Sequence, residues 1–265
     1  MHPFILQIGS FKLPAYGLMV AAGYLSAILF IFSRAGRAGL KKETLSDLIF
    51  YTVLSGMLGA KLFYAALYWR EFGPDTAARL LYLVKTFQYG FVFYGGIAGG
   101  AAGFVLTARR CSLSLPRTAD LFAPALALGH AFGRIGCFLA GCCHGSPYSG
   151  PLSVTFTNPA CEVDPALLGT PLHPVQLYEA AGNLFIFVIL MKALDRALQR
   201  RLAPGTVIGA YALLYAALRG ALEFLRGDDR GFSALGLSPG QLLSAAIAAT
   251  AAVYLFKIKA NHENK

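Results

Sequence analysis

The chain has 265 residues, 56% of them hydrophobic and only 14% charged, with a formal net charge of +10. A soluble domain carries roughly 25% charged residues, so this composition excludes an ordinary water-soluble enzyme. The positive balance requires no nucleic acid, because basic loops lying on an anionic lipid leaflet account for it.

The charges gather between long uncharged runs, and about 20 apolar residues cross a hydrocarbon core about 30 Å thick. Taken in chain order, the runs are 16–32, 48–68, 87–108, 119–140, 174–194, 207–225 and 237–256. The expected architecture is an all-α integral membrane protein of about seven transmembrane helices, one transmembrane domain over 1–265. The first run has no basic amino-terminal region and no small-residue cleavage site, so it is expected to remain as a span. The fourth contains Asp120, Pro124, His130 and Arg134 and is either a continuous helix or a broken, re-entrant one. Between the fourth and fifth runs, 145–172 is rich in Pro, Gly, Ser and Thr, has a strand-like stretch at 154–156 and lacks Lys and Arg. It reads as a small outer cap. Residues 261–265 are expected to fray.

Orientation follows from the basic residues. Fourteen Lys and Arg fall in the first, third and fifth connections and at the carboxyl end, from Arg34 to Lys265, against six on the opposite side, among them Lys12, Arg70, Arg79, Lys85 and Arg230. The amino terminus is therefore expected outside and the carboxyl terminus inside.

Ionisable residues inside spans are expensive and mark function by default. Lys61, Arg134, Arg219 and Glu223 stand in that position. Lys61 reads equally as a side chain that snorkels to the headgroups. Arg219 and Glu223, at i and i+4, share one helical face with Tyr215, and Arg226 lies near its outer end. A stripe with more Arg than Glu does not neutralise itself and suits a phosphate, whose oxygens match guanidinium forks. Arg134 lies in HAFGRIGCFLAGCCHG at 130–145, where Gly133, Gly136, Gly141 and Gly145 let the backbone bend or approach a ligand. A lipid-headgroup pocket is the expectation there. The second Gly-rich stretch, FYGGIAGGAAG from Phe93 to Gly103, is explained by close helix packing through small residues, with Tyr94 its polar exception.

With these pieces in order, the chain resembles the bacterial prolipoprotein diacylglyceryl transferase family over nearly its whole length. YGLMVAAGYL at 16–25, GAKLFYAALYW at 59–69, FYGGIAGG at 93–100, GRIGCFLAGCCHG at 133–145, HPVQLYEA at 173–180, YAALRGALEFLRGDD at 215–229 and LSPGQLLS at 237–244 carry the likeness. The resemblance implies a multi-pass enzyme of the bacterial cytoplasmic (inner) membrane. Its partners would be phosphatidylglycerol, membrane lipid and a prolipoprotein or other thiol acceptor. Diacylglyceryl would pass to the thiol, with release of glycerol phosphate. Carried over, Arg134 and Arg219 would hold the phosphate and Glu223 would position Arg219. Tyr16, Gly95, Gly96, Gly133, Cys137, Cys142, Gly145, Tyr215 and Arg226 would line the substrates. Tyr94 and His144 would complete the catalytic group.

The chain departs from the family pattern at several of these positions. Tyr94 stands where the family usually has His, Cys137 and Ala140 where it has Asn, Cys142 where it has an acid, and His144 where it has an aromatic. A Tyr hydroxyl, with a pKa near 10, is a poor base at neutral pH, so His130 or His144 is expected to supply the imidazole. Cys137, Cys142, Cys143 and Cys161 cluster around the outer end of the fourth span, away from Cys111. A cap disulfide such as Cys143–Cys161, soft-metal ligation by the C-x4-C-C-H-G pattern and a reactive thiol near Arg134 are all open readings. No metal and no cofactor is assigned. Alternatives to the transferase reading are a paralogue with the same lipid donor and another acceptor, or a non-enzymatic thiol- or metal-sensing or transport protein on the same scaffold.

Overall fold

The computed structural model describes residues 1–9, 11–86, 89–227 and 237–263. Phe87, where the third span was expected to start, Asp228, Asp229, Arg230 and Lys265 lie outside the described residues. Eight helices appear among the described residues: α1 (Ala15–Ala35), α2 (Lys42–Tyr68), α3 (Thr76–Lys85), α4 (Phe93–Arg110), α5 (Leu115–Ala140), α6 (Val175–Leu198), α7 (Thr206–Glu223) and α8 (Pro239–Glu263). Five of them, α1, α2, α5, α6 and α8, are long and apolar enough to cross a membrane. Helices α4 and α7, also expected as spans, have 18 residues each. At 1.5 Å per residue that is about 27 Å, at the short end of a crossing.

Apolar side chains point outward, as lipid-facing helices require: Leu62, Leu106, Phe185 and Phe256 are more than 60% exposed. The interior mixes large apolar residues such as Leu48, Leu121, Leu190 and Leu194 with small and polar ones, among them Ala123, Ala125, Ala127, Ala131, Asp120, Gln176, Glu179, Asn183 and Glu223. An apolar exterior around an interior that holds the polar groups is what a hydrocarbon solvent requires.

The chain divides into two compact units, Met1–Arg34 with Ala119–Lys265, and Ala35–Thr118. In the second unit, α2 and α4 cross at close range. A side chain at Gly59 would run into the carbonyl of Gly95, and one at Gly99 into that of Ser55. Gly95 and Gly96 thus sit on the small-residue seam that lets the two backbones meet. Helix α3, not anticipated from the sequence, is capped by Asp75, whose Oδ1 accepts from the Ala78 N–H at 2.8 Å. Lys61 Nζ donates to the carbonyls of Thr86 at 2.8 Å and Tyr89 at 2.7 Å. It lies at the negative end of α3, so its intramembrane charge has a structural partner.

The first unit opens with a hairpin, β1 (Phe4–Ile8) against β2 (Phe11–Pro14), which an all-helical reading did not foresee. Helix α5 runs unbroken through Pro124, so the broken or re-entrant alternative does not apply. The chain leaves the helix only at Gly141, whose φ is +87°. Residues 145–172 form a cap in which β3 (Val154–Thr155) pairs antiparallel with β4 (Pro171–Leu172). Phe156, Cys161, Val163 and Leu172 make its core, with Phe138 from the end of α5 packed on it. Helix α8 continues to Glu263, so 261–263 are helical rather than frayed.

Asp120 explains how α7 begins. Gly205, at φ +94°, has no side chain to cap the helix. Asp120 reaches across from α5 and accepts from the N–H groups of Gly205 at 2.7 Å, Val207 at 2.8 Å and Ile208 at 2.9 Å. A buried carboxylate is tolerated there because three donors and the positive end of α7 meet it. Asp120→Ala should destabilise the detergent-solubilised protein by about 2 kcal/mol, and Asp120→Asn by about half as much, because the amide oxygen keeps one acceptor. Thermal unfolding checks this; an unchanged midpoint for Asp120→Ala would remove the capping role.

Candidate active site

Five elements of the first unit bring polar groups to its cap-side end: the starts of α1, α6 and α8 and the ends of α5 and α7. Arg134, on the penultimate turns of α5, pairs through Nε with Glu179 Oε1 on α6 at 3.1 Å. Tyr215 on α7 donates its hydroxyl to the same oxygen at 3.1 Å. Glu179 is completely buried, a position a carboxylate holds only when charge and hydrogen bonds meet it. Behind it, His130 Nδ1 lies 2.9 Å from the Tyr211 hydroxyl and its ring stacks on Tyr215 at 4.8 Å. Gln176 and Asn183 share the buried face of α6 with Glu179. Each of these three residues retains one oxygen with no partner among the described residues.

Arg219 forms a second ion pair, through Nη2, with Glu223 Oε2 one turn along α7. Ser238 Oγ donates to Glu223 Oε1 at 2.7 Å. Ser238 is also the cap of α8: its N–H donates to Gln241 Oε1 at 2.9 Å, and the Gln241 N–H donates to Ser238 Oγ at 3.2 Å. This reciprocal pair is what an S-x-x-Q sequence forms at a helix start. A side chain at Gly240 would strike the Glu223 carboxylate, so only glycine lets that carboxylate rest on the positive end of α8. Nη1 of Arg219 is buried with no partner among the described residues. Arg134 meets Glu179 through Nε, and its side chain keeps partial exposure. Tyr215 lies within electrostatic reach of both guanidiniums.

The rim of this end is sulfur-rich. The Sγ atoms of Cys137, Cys142 and Cys143 all lie within 4.8 Å of one another. All five cysteines are free thiols, and Cys143 and Cys161 are not bridged. Gln176 Nε2 donates to the Cys142 carbonyl at 2.8 Å, tying the thiol turn to α6. The Cys143 thiol is pushed below its ordinary value by hydrogen bonds with Cys137 and Cys142 and by the Arg226 guanidinium. Those contacts within the cluster push Cys142 up. His144 is buried, with Nδ1 3.0 Å from the Gly145 carbonyl. Gly145 is wedged between His173 and Leu225, and a side chain there would meet both backbones. Tyr16 packs against Gly136, while a side chain at Gly133 would meet open space.

The structure thus brings together Tyr16, Arg134, Cys137, Cys142, His144, Gly145, Tyr215, Arg219, Glu223 and Arg226 at one end of the first unit. Tyr94, Gly95 and Gly96 belong to the second unit; Tyr94 is 61% exposed there, its ring edge-on to Phe93. Glu179 and Ser238 are central to the site and were not singled out from the sequence. Glu179 was within reach of the rule applied to Arg134, since it is an acid inside an apolar run. A groove of about 500 Å³ between α7 and α8, lined by Ile208, Ala212, Ile247 and Tyr254, is apolar. It lies toward the opposite end of α7, about 16 Å along the axis from Arg219, and carries no chemistry.

A family model described as prolipoprotein diacylglyceryl transferase matches residues 3–257. The phosphatidylglycerol–prolipoprotein diacylglyceryl transferase of Clostridium tetani is 32% identical over 244 residues, 92% of this chain and 92% of its own length. The enzyme of Clostridium perfringens named phosphatidylglycerol–prolipoprotein diacylglyceryl transferase 2 is 33% identical, covering 90% of this chain and 88% of itself. That of Geobacter sulfurreducens is 33% identical, covering 92% and 90%. With a membrane-type helical fold, a site of paired arginines and a match along almost all its length, the chain belongs to the prolipoprotein diacylglyceryl transferase family.

Proposed function

We propose that this protein transfers the diacylglyceryl group of phosphatidylglycerol to a thiol, the cysteine of a prolipoprotein, and releases glycerol phosphate. One observation carries the site assignment: two largely enclosed arginines are each held by a carboxylate, and Nη1 of Arg219 has no partner among the described residues. The reaction is a displacement at carbon. The acceptor sulfur bonds to the glyceryl carbon as the carbon–oxygen bond to phosphate breaks. The donor phosphodiester carries one negative charge, and the departing glycerol phosphate carries more. Arg134 and Arg219, fixed before the reaction, therefore bind the leaving phosphate more strongly than the intact lipid, and that difference lowers the barrier. Glu179 and Glu223 act as positioning residues that hold each fork, and Tyr215 bridges the two sides of the clamp. His144 is the imidazole nearest in sequence to the thiols and takes the acceptor's proton.

The membrane is the bacterial cytoplasmic membrane, with the amino terminus and the 145–172 cap outside and the carboxyl terminus inside. The Lys and Arg asymmetry supports this, as does the gathering of polar groups at the cap-side end, where an exported acceptor arrives. The sulfur-rich rim, in place of the usual Asn and acid, favours an acceptor preference that differs from that of ordinary family members.

Arg134→Lys and Arg219→Lys keep the charge but lose the planar fork, and each should lower turnover by about 100-fold. The measurement is lipidated lipobox peptide and released glycerol phosphate from labelled phosphatidylglycerol. Near-native rates for both variants would remove the phosphate clamp. Glu179→Gln should slow the reaction about tenfold through the misplaced Arg134, mainly in kcat. For orientation, Ser153→Cys in a cysteine-free background should react with an impermeant thiol reagent in cells with an intact cytoplasmic membrane. Labelling only after that membrane is permeabilised would reverse the topology.

A further inference from the structure

The thiols at the rim converge by a specific backbone route. Cys137 lies on the last turn of α5, Gly141 turns the chain at φ +87°, and Cys143 holds φ +59°, a left-handed conformation that side chains rarely adopt. The turn is pinned on both sides: the Gly141 N–H donates to the Cys137 carbonyl at 2.9 Å and the Glu162 N–H to the Ala140 carbonyl at 2.9 Å. The result is three half-buried sulfurs within 4.8 Å of one another. Around a zinc ion with bonds of about 2.3 Å, sulfurs at tetrahedral angles stand about 3.8 Å apart. A contraction of about 1 Å at most therefore turns this triangle into a ligand set.

We propose that Cys137, Cys142 and Cys143 form a binding site for a thiophilic cation, zinc, held by three thiolates with a fourth position open. Sulfur donors alone, with no carboxylate among them, exclude magnesium and calcium and select a soft or borderline ion. Three thiolates around a divalent cation leave one net negative charge. The guanidiniums of Arg134 and Arg226, both in electrostatic reach of the cluster, offset it. Three protein ligands with an open position is the arrangement of a reactive zinc centre, whereas a purely structural one is closed by four. Resting on the transferase reading above, the open position takes the acceptor thiol. Its proton passes to His144, the base assigned above, and its sulfur stays nucleophilic as a zinc-bound thiolate. It then bonds to the glyceryl carbon as glycerol phosphate departs with the electrons of the broken carbon–oxygen bond. No oxidant or reductant is consumed.

The test uses the full chain in detergent, reduced and stripped of metal under anaerobic conditions, then titrated with cobalt(II) as the spectroscopic substitute for zinc. A thiolate-to-cobalt charge-transfer band saturating at one equivalent is expected and should be abolished by competing zinc. Cys137→Ser, Cys142→Ser and Cys143→Ser should each weaken it, and Cys111→Ser should leave it intact. Absence of the band in the unsubstituted protein, or cysteines of the cluster found as a disulfide in protein isolated without reductant, would overturn the site. Adding a lipobox peptide should shift the cobalt d–d bands, and its Ser-for-Cys version should not. Identical spectra with the two peptides would overturn the acceptor role. Peptide lipidation measured alongside separates the two readings. Metal binding without any transfer by the zinc-loaded protein would sink the transferase reading and leave the metal site standing.

Discussion

The Arg134–Glu179 pair is the interaction on which the rest of the site depends. Neither charge is tolerable alone at membrane depth, and neither is neutralised by a neighbour on its own helix. The pair forms only when α5 and α6 lie side by side, and Tyr215 joins α7 to the same oxygen. The cost of burying an ion thus becomes a constraint on helix placement. Three helices in an environment with little hydrophobic force between them are held in register by one carboxylate.

The two ends of the first unit solve the same electrostatic problem in different ways. At one end Asp120 is fully engaged by three backbone donors. With both its oxygens engaged, it serves architecture. At the other, the donors and acceptors outnumber their protein partners: one nitrogen of Arg219 and one oxygen each on Gln176, Glu179 and Asn183 have none among the described residues. Surplus hydrogen-bonding capacity in a buried place distinguishes a site from a staple. The surplus includes both signs, donors for a phosphate and acceptors for hydroxyl groups such as those of a glycerol headgroup.

What could be read from the sequence was whatever lies on a single element. Arg219 and Glu223 announced themselves because i and i+4 share a helix face, and apolar run lengths located the long helices. Glu179 escaped because its partners stand on α5 and α7, and its own helix offers no periodic clue. Asp120 looked like a disruption of a span, since the groups it caps are 85 to 88 residues away. Pro124 seemed able to break α5, yet the alanines at 123, 125 and 127 are buried to within 3%. Packed on those positions, the helix tolerates one missing hydrogen bond. The thiol spacing could not separate a disulfide, a metal site and a lone reactive cysteine. The answer turns on one left-handed residue, Cys143, and no propensity favours that conformation for cysteine.

The long reach of Asp120 also bears on how the protein is made. Helix α5 is synthesised carrying an acid and an arginine, each costing about 2.5–3.5 kcal/mol at the centre of a lone helix entering the membrane. The groups that satisfy them, Glu179 and the start of α7, do not yet exist when α5 leaves the ribosome. Lying toward the two ends of the helix, the acid and the arginine cost less than that, and α5 remains apolar enough to cross. Its final seating still waits for α6 and α7 to emerge and meet these charges. That seating is a joint event of three segments, and the order of synthesis becomes part of the folding pathway.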